Sequence, residues 1–153
     1  MICKWIKKWW NKEKIEPYTG STIHTVKLGF STQELVIINE INLLRDRFNL
    51  PKLKPDLFVS AIAKSHSLYM SENQHVSHDN FPERQWNLKI HVLKPRWVGE
   101  CVGGGLTSKG YVLNWYKSLK HMKIMLNKDA NLIGISIEYD INNKSYATLL
   151  LTD

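Results

Sequence analysis

Cysteine is scarce in this chain: Cys3 and Cys101 are the two among 153 residues. Two cysteines build neither a zinc cluster nor a disulfide framework, so a reduced state is the simpler expectation. Long apolar runs are missing as well. No stretch approaches the roughly 20 residues that a membrane-spanning helix requires. Lys4, Lys7 and Lys8 interrupt any apolar core of a secretory signal, so the sequence itself declares no export. Low-complexity tracts, internal repeats and charged tails are absent too. The net charge is +7, yet there is no zinc-finger, helix-turn-helix or RNA-binding sheet signature. That combination points to a solvated basic surface and away from nucleic acid as a partner. With 43% hydrophobic and 23% charged residues, the chain suits one soluble domain with its own core.

The first fourteen residues stand apart. Ile2, Trp5, Ile6, Trp9 and Trp10 fall at helical spacing, within an arc of about 140° on a helix. Lys4, Lys7, Lys8, Lys12 and Lys14 take the other side. A tryptophan face opposite a lysine face suits the boundary of an anionic membrane, or docking on a protein partner or on the chain's own domain. Residues 15–30 read as an extended connector, broken by Pro17, Gly20 and Ser21. The domain proper is expected over residues 31–153.

Ser31-Thr-Gln-Glu34 is a capping-box pattern. Leu35, Ile38, Ile41, Leu44 and Phe48 follow at helical spacing, and Leu50-Pro51 marks the end. A second helix is predicted from Pro55-Asp56, with the proline in its first turn, to about Met70–Asn73. Its expected inner face is Leu57, Ala61, Ile62, Ser65, Leu68 and Tyr69. From Gln74 to Trp97 no period is sustained, which predicts a long ordered loop with short helical turns; loops of that length are often functional. A strand at Trp97–Gly103 and a glycine-rich loop come next. A helix from Thr107 or Ser108 follows, with Val112, Trp115, Tyr116 and Leu119 turned inward. After a break near Ser118–His121, Met122–Leu126 makes a further helical turn. Leu132–Asp140 and Ser145–Leu151 read as a hairpin turning near Asn142-Asn143. Helices and strands do not alternate strictly, so the class is α+β.

The chemistry-bearing residues concentrate at the edges of these elements. His78, Glu100 and His121 each lie beside glycine, serine or a break. Two imidazoles and a carboxylate are a competent set of ligands for a divalent metal such as zinc, with a position left open for water. Ser118 with His121 could be a nucleophile and its base, oriented by Glu100, but Ser118 has no nucleophile-elbow context and suits a helix cap instead. By strand alternation Cys101 points away from Glu100, as a small buried residue.

The order Leu57…Ala63-x-x-His66-Ser67-x-x-Met70…Ser77-His78…Gly99-Glu100…Trp115-x-x-Ser118-x-x-His121…Ile133-Gly134-Ile135 resembles the CAP superfamily. This is the superfamily of cysteine-rich secretory proteins, antigen 5 and pathogenesis-related 1 proteins, also called SCP domains. Asn39-Glu40…Arg45…Leu50-Pro51-x-Leu53 extends the likeness to the opening helix, so that it spans roughly residues 33–151. The bacterial and phage branch fits best, because its members carry W-x-x-S-x-x-H and lack the eukaryotic disulfides. The resemblance implies a three-layer α-β-α sandwich with a central, mostly antiparallel sheet. It also implies a cleft into which two histidines and two glutamates project. The first histidine falls on His78, the first glutamate on Glu100 and the second histidine on His121. Ser118 stands at the position of the second glutamate, and Cys101 where asparagine is usual.

With one carboxylate fewer, the expected function is a binding module acting at an envelope or host surface. Its cleft would be formed by His78, Glu100, Ser118 and His121. The ligand would be a divalent metal held by His78, Glu100 and His121, or a small lipid, glycan or peptide. The competing expectations are a metal-dependent hydrolase with Glu100 as general base on a bound water, and a structural or accessory protein, carried by a phage, that docks through residues 1–14.

Overall fold

The computed structural model describes residues 29–91 and 95–153. The predicted Trp/Lys helix at 1–14 and almost all of the 15–30 connector lie outside the described residues. Those described form five helices and a four-stranded sheet of order β1-β3-β4-β2.

Helix α1 (Thr32–Arg47) begins with the expected capping box. The Ser31 hydroxyl accepts from the Glu34 N–H at 3.3 Å, and the Glu34 carboxylate accepts from the Ser31 N–H at 2.7 Å. Its second oxygen accepts from the Ile137 N–H on the sheet at 3.0 Å, so one acid caps the helix and fixes it to the sheet. Strand β1 (Lys54–Pro55) pairs in parallel with β3 (Leu132–Tyr139). Pro55 therefore belongs to a strand and not to a helix turn; Asp56 is the cap of helix α2 (Leu57–Asn73), accepting from the Val59 N–H at 2.9 Å.

The inner face of α2 differs from the expected one. Leu57, Ala61, Ser65 and Leu68 are exposed, while Val59, Ile62, Ala63, His66, Ser67 and Met70 are buried. The reason is polar burial. The Ser67 hydroxyl lies within hydrogen-bond distance of the Ser136 carbonyl (3.0 Å), to which it can donate, and of the Thr148 hydroxyl (2.9 Å), from which it can then accept, so the stripe touching the sheet contains residues that an apolar pattern skips. Gly134 lets α2 lie this close, since a Cβ there would collide with the backbone of Val59 and Ser60.

The predicted 74–97 loop contains a full helix, α3 (Phe81–His91). Its inward residues are Phe81, Arg84 and Leu88 at helical spacing, and the arginine in the middle hides the period. Strand β2 (Val98–Gly104) is the far edge of the sheet and runs antiparallel to β4 (Ser145–Thr152), with Glu100 opposite Leu150. Helix α4 (Ser108–Lys117) is capped by Thr107, and α5 (Leu119–Met125) by Ser118, so the helix predicted from Met122 starts three residues earlier. Strands β3 and β4 form the predicted hairpin, with Asn143 in the left-handed region at its turn.

One face of the sheet carries α2 and α3 over Val98, Leu132 and Leu150. The other carries α1, α4 and α5 over Cys101, Ile133, Ile135, Leu149 and Leu151. The expected α-β-α sandwich is thus present, its sheet mixed through the short parallel β1 and otherwise antiparallel. Arg45, fully buried on α1, closes one end of the sandwich. It donates to the carbonyls of Pro51, Met125, Asn127 and Ala130 at 2.8–3.3 Å.

Candidate functional site

Glu100 lies on β2 between Val98 and Val102, so strand alternation turns it to the α2/α3 face while Cys101 enters the opposite core. Its side chain is 1% exposed. A buried carboxylate needs partners for both oxygens, and Glu100 has them. Arg84 Nε donates to Oε2 at 2.6 Å and Arg84 Nη2 to Oε1 at 2.8 Å, the two-pronged geometry in which arginine matches a carboxylate. His78 Nδ1 lies 2.8 Å from Oε1. Since an ionised carboxylate accepts only, that nitrogen carries the proton, and Nε2 of a neutral His78 ring is left as an acceptor. Burial alone would raise the Glu100 pKa; the His78 and Arg84 hydrogen bonds and the Arg84 charge outweigh it and hold the group below the ordinary glutamate value.

His78 comes from the segment between α2 and α3, which is tied down at three points. The Ser77 carbonyl lies 2.7 Å from Nε2 of buried His66, the Tyr69 hydroxyl donates to Asp79 Oδ2 at 3.1 Å, and Arg84 Nη1 donates to the Asp79 carbonyl at 2.6 Å. His121 enters from the other layer on α5. Its ring lies 6.3 Å from that of His78, centroid to centroid, across the open edge of β2. His121 Nδ1 is buried with no hydrogen-bond partner among the described residues. Burial, the His78 charge and the Lys120 charge together lower its pKa.

The structure thus brings His78 to Glu100 and to His121. Ser118 serves as the cap of α5, its hydroxyl 3.5 Å from the His121 N–H. Cys101 is a buried free thiol whose pKa is pushed well up, by burial first and then by the Glu100 charge. Arg84 is the residue missed from the sequence, while His66, part of the quoted motif, has no expected role in the site; an arginine three residues from Phe81 and four from Leu88 is the available signal for the first. A cavity of about 770 Å³ at the hairpin end, with Gln33, Thr107, Lys109 and Lys144 in its wall, contains none of these groups.

The residues do not fit a metal as they stand. Glu100 has both oxygens engaged by a guanidinium, and no group of three or more His, Cys, Asp or Glu among the described residues is arranged to hold a metal ion.

Comparison with known proteins bears on the same features. The model of the cysteine-rich secretory protein family (CAP) matches residues 38–151. A protein of Borreliella burgdorferi is 26% identical over 116 residues, covering 74% of this chain and 73% of its own. An outer surface protein of Borrelia burgdorferi has a similar structure, with TM-score 0.71 at 22% identity, over 81% of this chain and 96% of that one. A cysteine-rich secretory protein from Staphylococcus aureus aligns with TM-score 0.63 at 20% identity, over 78% of this chain and 38% of that one. An extracellular SCP-domain protein from Bacillus anthracis gives 0.61 at 25% identity, over 76% and 38%.

Proposed function

Because the chain belongs to the cysteine-rich secretory protein (CAP) family, of bacterial type, we propose that it is a binding module of a bacterial envelope or host-facing surface, with its ligand seated between His78 and His121. The observation that carries this reading is the closed charge balance beneath the two rings. Glu100 is engaged by Arg84 and His78 on both oxygens, so the cleft offers imidazole nitrogens and no free carboxylate. An unprotonated imidazole nitrogen accepts hydrogen bonds, which favours a hydroxyl- or amide-bearing ligand such as a glycan or a peptide. The surface setting is supported by the structurally similar Borrelia protein, which is an outer surface protein.

The hydrolase reading has less support. A general base works best with a pKa near the working pH, and Glu100 is held low and buried. A serine nucleophile finds no support either, because Ser118 is occupied in capping α5.

The test is a panel of envelope glycans, phospholipids and peptides titrated onto the full chain, with His side-chain resonances as the readout. A ligand that shifts both His78 and His121, and whose affinity falls about tenfold or more in His78→Ala and His121→Ala, supports the reading. Binding indifferent to both substitutions sinks it. Turnover of a fluorogenic ester or peptide that disappears in Glu100→Gln would restore the hydrolase.

A further inference from the structure

We propose that Arg84 is the resident cation of the cleft, occupying the place at Glu100 that a divalent metal would need and so keeping the wild-type site free of metal. The inference rests on the geometry of the cleft and not on the identity of its ligand. Metal–carboxylate bonds run near 2.0–2.2 Å, so a metal at Glu100 would have to displace a hydrogen-bonded proton from at least one oxygen. Here Oε2 is taken by Arg84 Nε at 2.6 Å, and Oε1 is shared by Arg84 Nη2 and His78 Nδ1, each at 2.8 Å. A divalent ion entering there would also face a guanidinium within the same buried contact.

Arg84 is not free to swing aside. Its side chain is 5% exposed, and its third nitrogen, Nη1, donates to the Asp79 carbonyl at 2.6 Å. The Phe81 ring lies 5.8 Å from the guanidinium carbon. Moving the arginine would break three charge-assisted hydrogen bonds and release the segment that carries His78. The same residue therefore does two things. It supplies the positive charge that the buried carboxylate requires, and it positions His78, through Glu100 at the ring and through Asp79 at the backbone. A metal would supply the charge without that second tie.

Arginine is suited to this role where lysine is not, because its fork engages both carboxylate oxygens and still has a donor for the loop. Removing it frees the Glu100 carboxylate beside His78, with the unpartnered Nδ1 of His121 facing them; the three are not arranged for a metal while Arg84 is in place, and they would have to draw together on an ion once it is gone.

The experiment is zinc titration of the full chain, followed by calorimetry and by the His78 and His121 side-chain resonances. In the wild-type chain these two residues should be unmoved by stoichiometric zinc. In Arg84→Met they should shift together and zinc affinity should rise by about 10–100-fold, a gain abolished by adding His78→Ala. Stoichiometric zinc binding at His78 and His121 in the wild-type chain overturns the proposal, and that arm needs no variant to fold. A folded Arg84→Met chain that gains no zinc site overturns it too. Because zinc is the only probe, failure of the glycan or peptide reading leaves this result standing, and the reverse holds as well.

Discussion

Removing the Arg84 guanidinium would leave the Glu100 carboxylate buried and uncompensated, and a broken buried pair costs far more than the intact pair contributes. Arg84→Ala should destabilise the fold by about 3–5 kcal/mol in urea unfolding, whereas Arg84→Met with Glu100→Gln, which removes both charges, should recover most of that loss. The sign of the pH dependence follows from the same contacts. Glu100 is held below its ordinary value of 4.5. Its contribution to stability is therefore full above that value and is lost as pH falls through the lower, folded-state pKa. His121 is lowered from 6.5, by burial first and then by the His78 and Lys120 charges. His66 is lowered too, with burial the leading cause and its hydrogen bond to the Ser77 carbonyl opposing it. In both cases the unfolded chain takes up the proton first, so stability declines as pH drops below about 6.5, ahead of the Glu100 loss. Urea midpoints followed from about pH 8 down to about pH 2 should thus show two limbs: His121→Ala should flatten the upper limb and Glu100→Gln the lower. At this scale His78, Glu100 and His121 stand out through the ordered motifs of the family, since their positions beside a break or a glycine are a weak signal alone. The sequence is silent on Arg84, because an arginine reads as surface until a partner is seen.

Among the elements, the misreadings share a cause. The inner face of α2 is rotated from the expected one and α3 stands where a loop is expected, and in both the buried stripe contains polar side chains: His66 and Ser67 in α2, Arg84 in α3. Period searches score apolar residues, so an element whose buried face carries chemistry loses its signature where the function lies. Capped elements were legible because caps depend on local bonds: Ser31–Glu34 for α1, Thr107 for α4, Ser118 for α5. The joint between α2 and the sheet gives a sharp test. At Gly134 an added Cβ meets the Val59 and Ser60 backbone, which cannot step aside as a flexible side chain would. Gly134→Ala should push α2 outward and cost about 3 kcal/mol or more, at the upper end of overpacking. Ser60→Ala removes the hydroxyl that accepts from the Ile135 N–H at 3.0 Å and should cost about 1 kcal/mol. Equal losses in the two variants would contradict the close-approach account.

For the whole molecule, the α-β-α arrangement was legible through the ordered motifs of the family, and Arg45 shows what such a motif encodes. Its one guanidinium ties the end of α1 to the Pro51 carbonyl and to the carbonyls around residues 125–130. The N-terminal segment lies outside the described residues, and its composition sets it apart. Residues 1–14 combine three tryptophans and two isoleucines with five lysines. No helix among the described residues is long and apolar enough to cross a membrane. We propose that this segment associates with an anionic lipid surface, and the prediction can be separated from attraction by charge alone. The rest of the chain is also basic, with sixteen lysines and arginines against twelve acids in residues 21–153, so any part of it would be drawn weakly to an anionic vesicle. Attraction of that kind fades at ~1 M salt, where the screening length is only about 3 Å. Insertion of indole rings at the headgroup boundary does not depend on salt in this way. The full chain should therefore co-sediment with phosphatidylglycerol vesicles at ~0.1 M salt and be retained in part at ~1 M. Replacing Trp5, Trp9 and Trp10 with serine should abolish the retained fraction while sparing some low-salt binding. If the full chain stays in the supernatant at ~0.1 M salt, or if the serine variant is retained as well as the wild type, residues 1–14 do not anchor it to lipid. A protein partner, or the chain's own domain, would then be the surface that their tryptophan face requires.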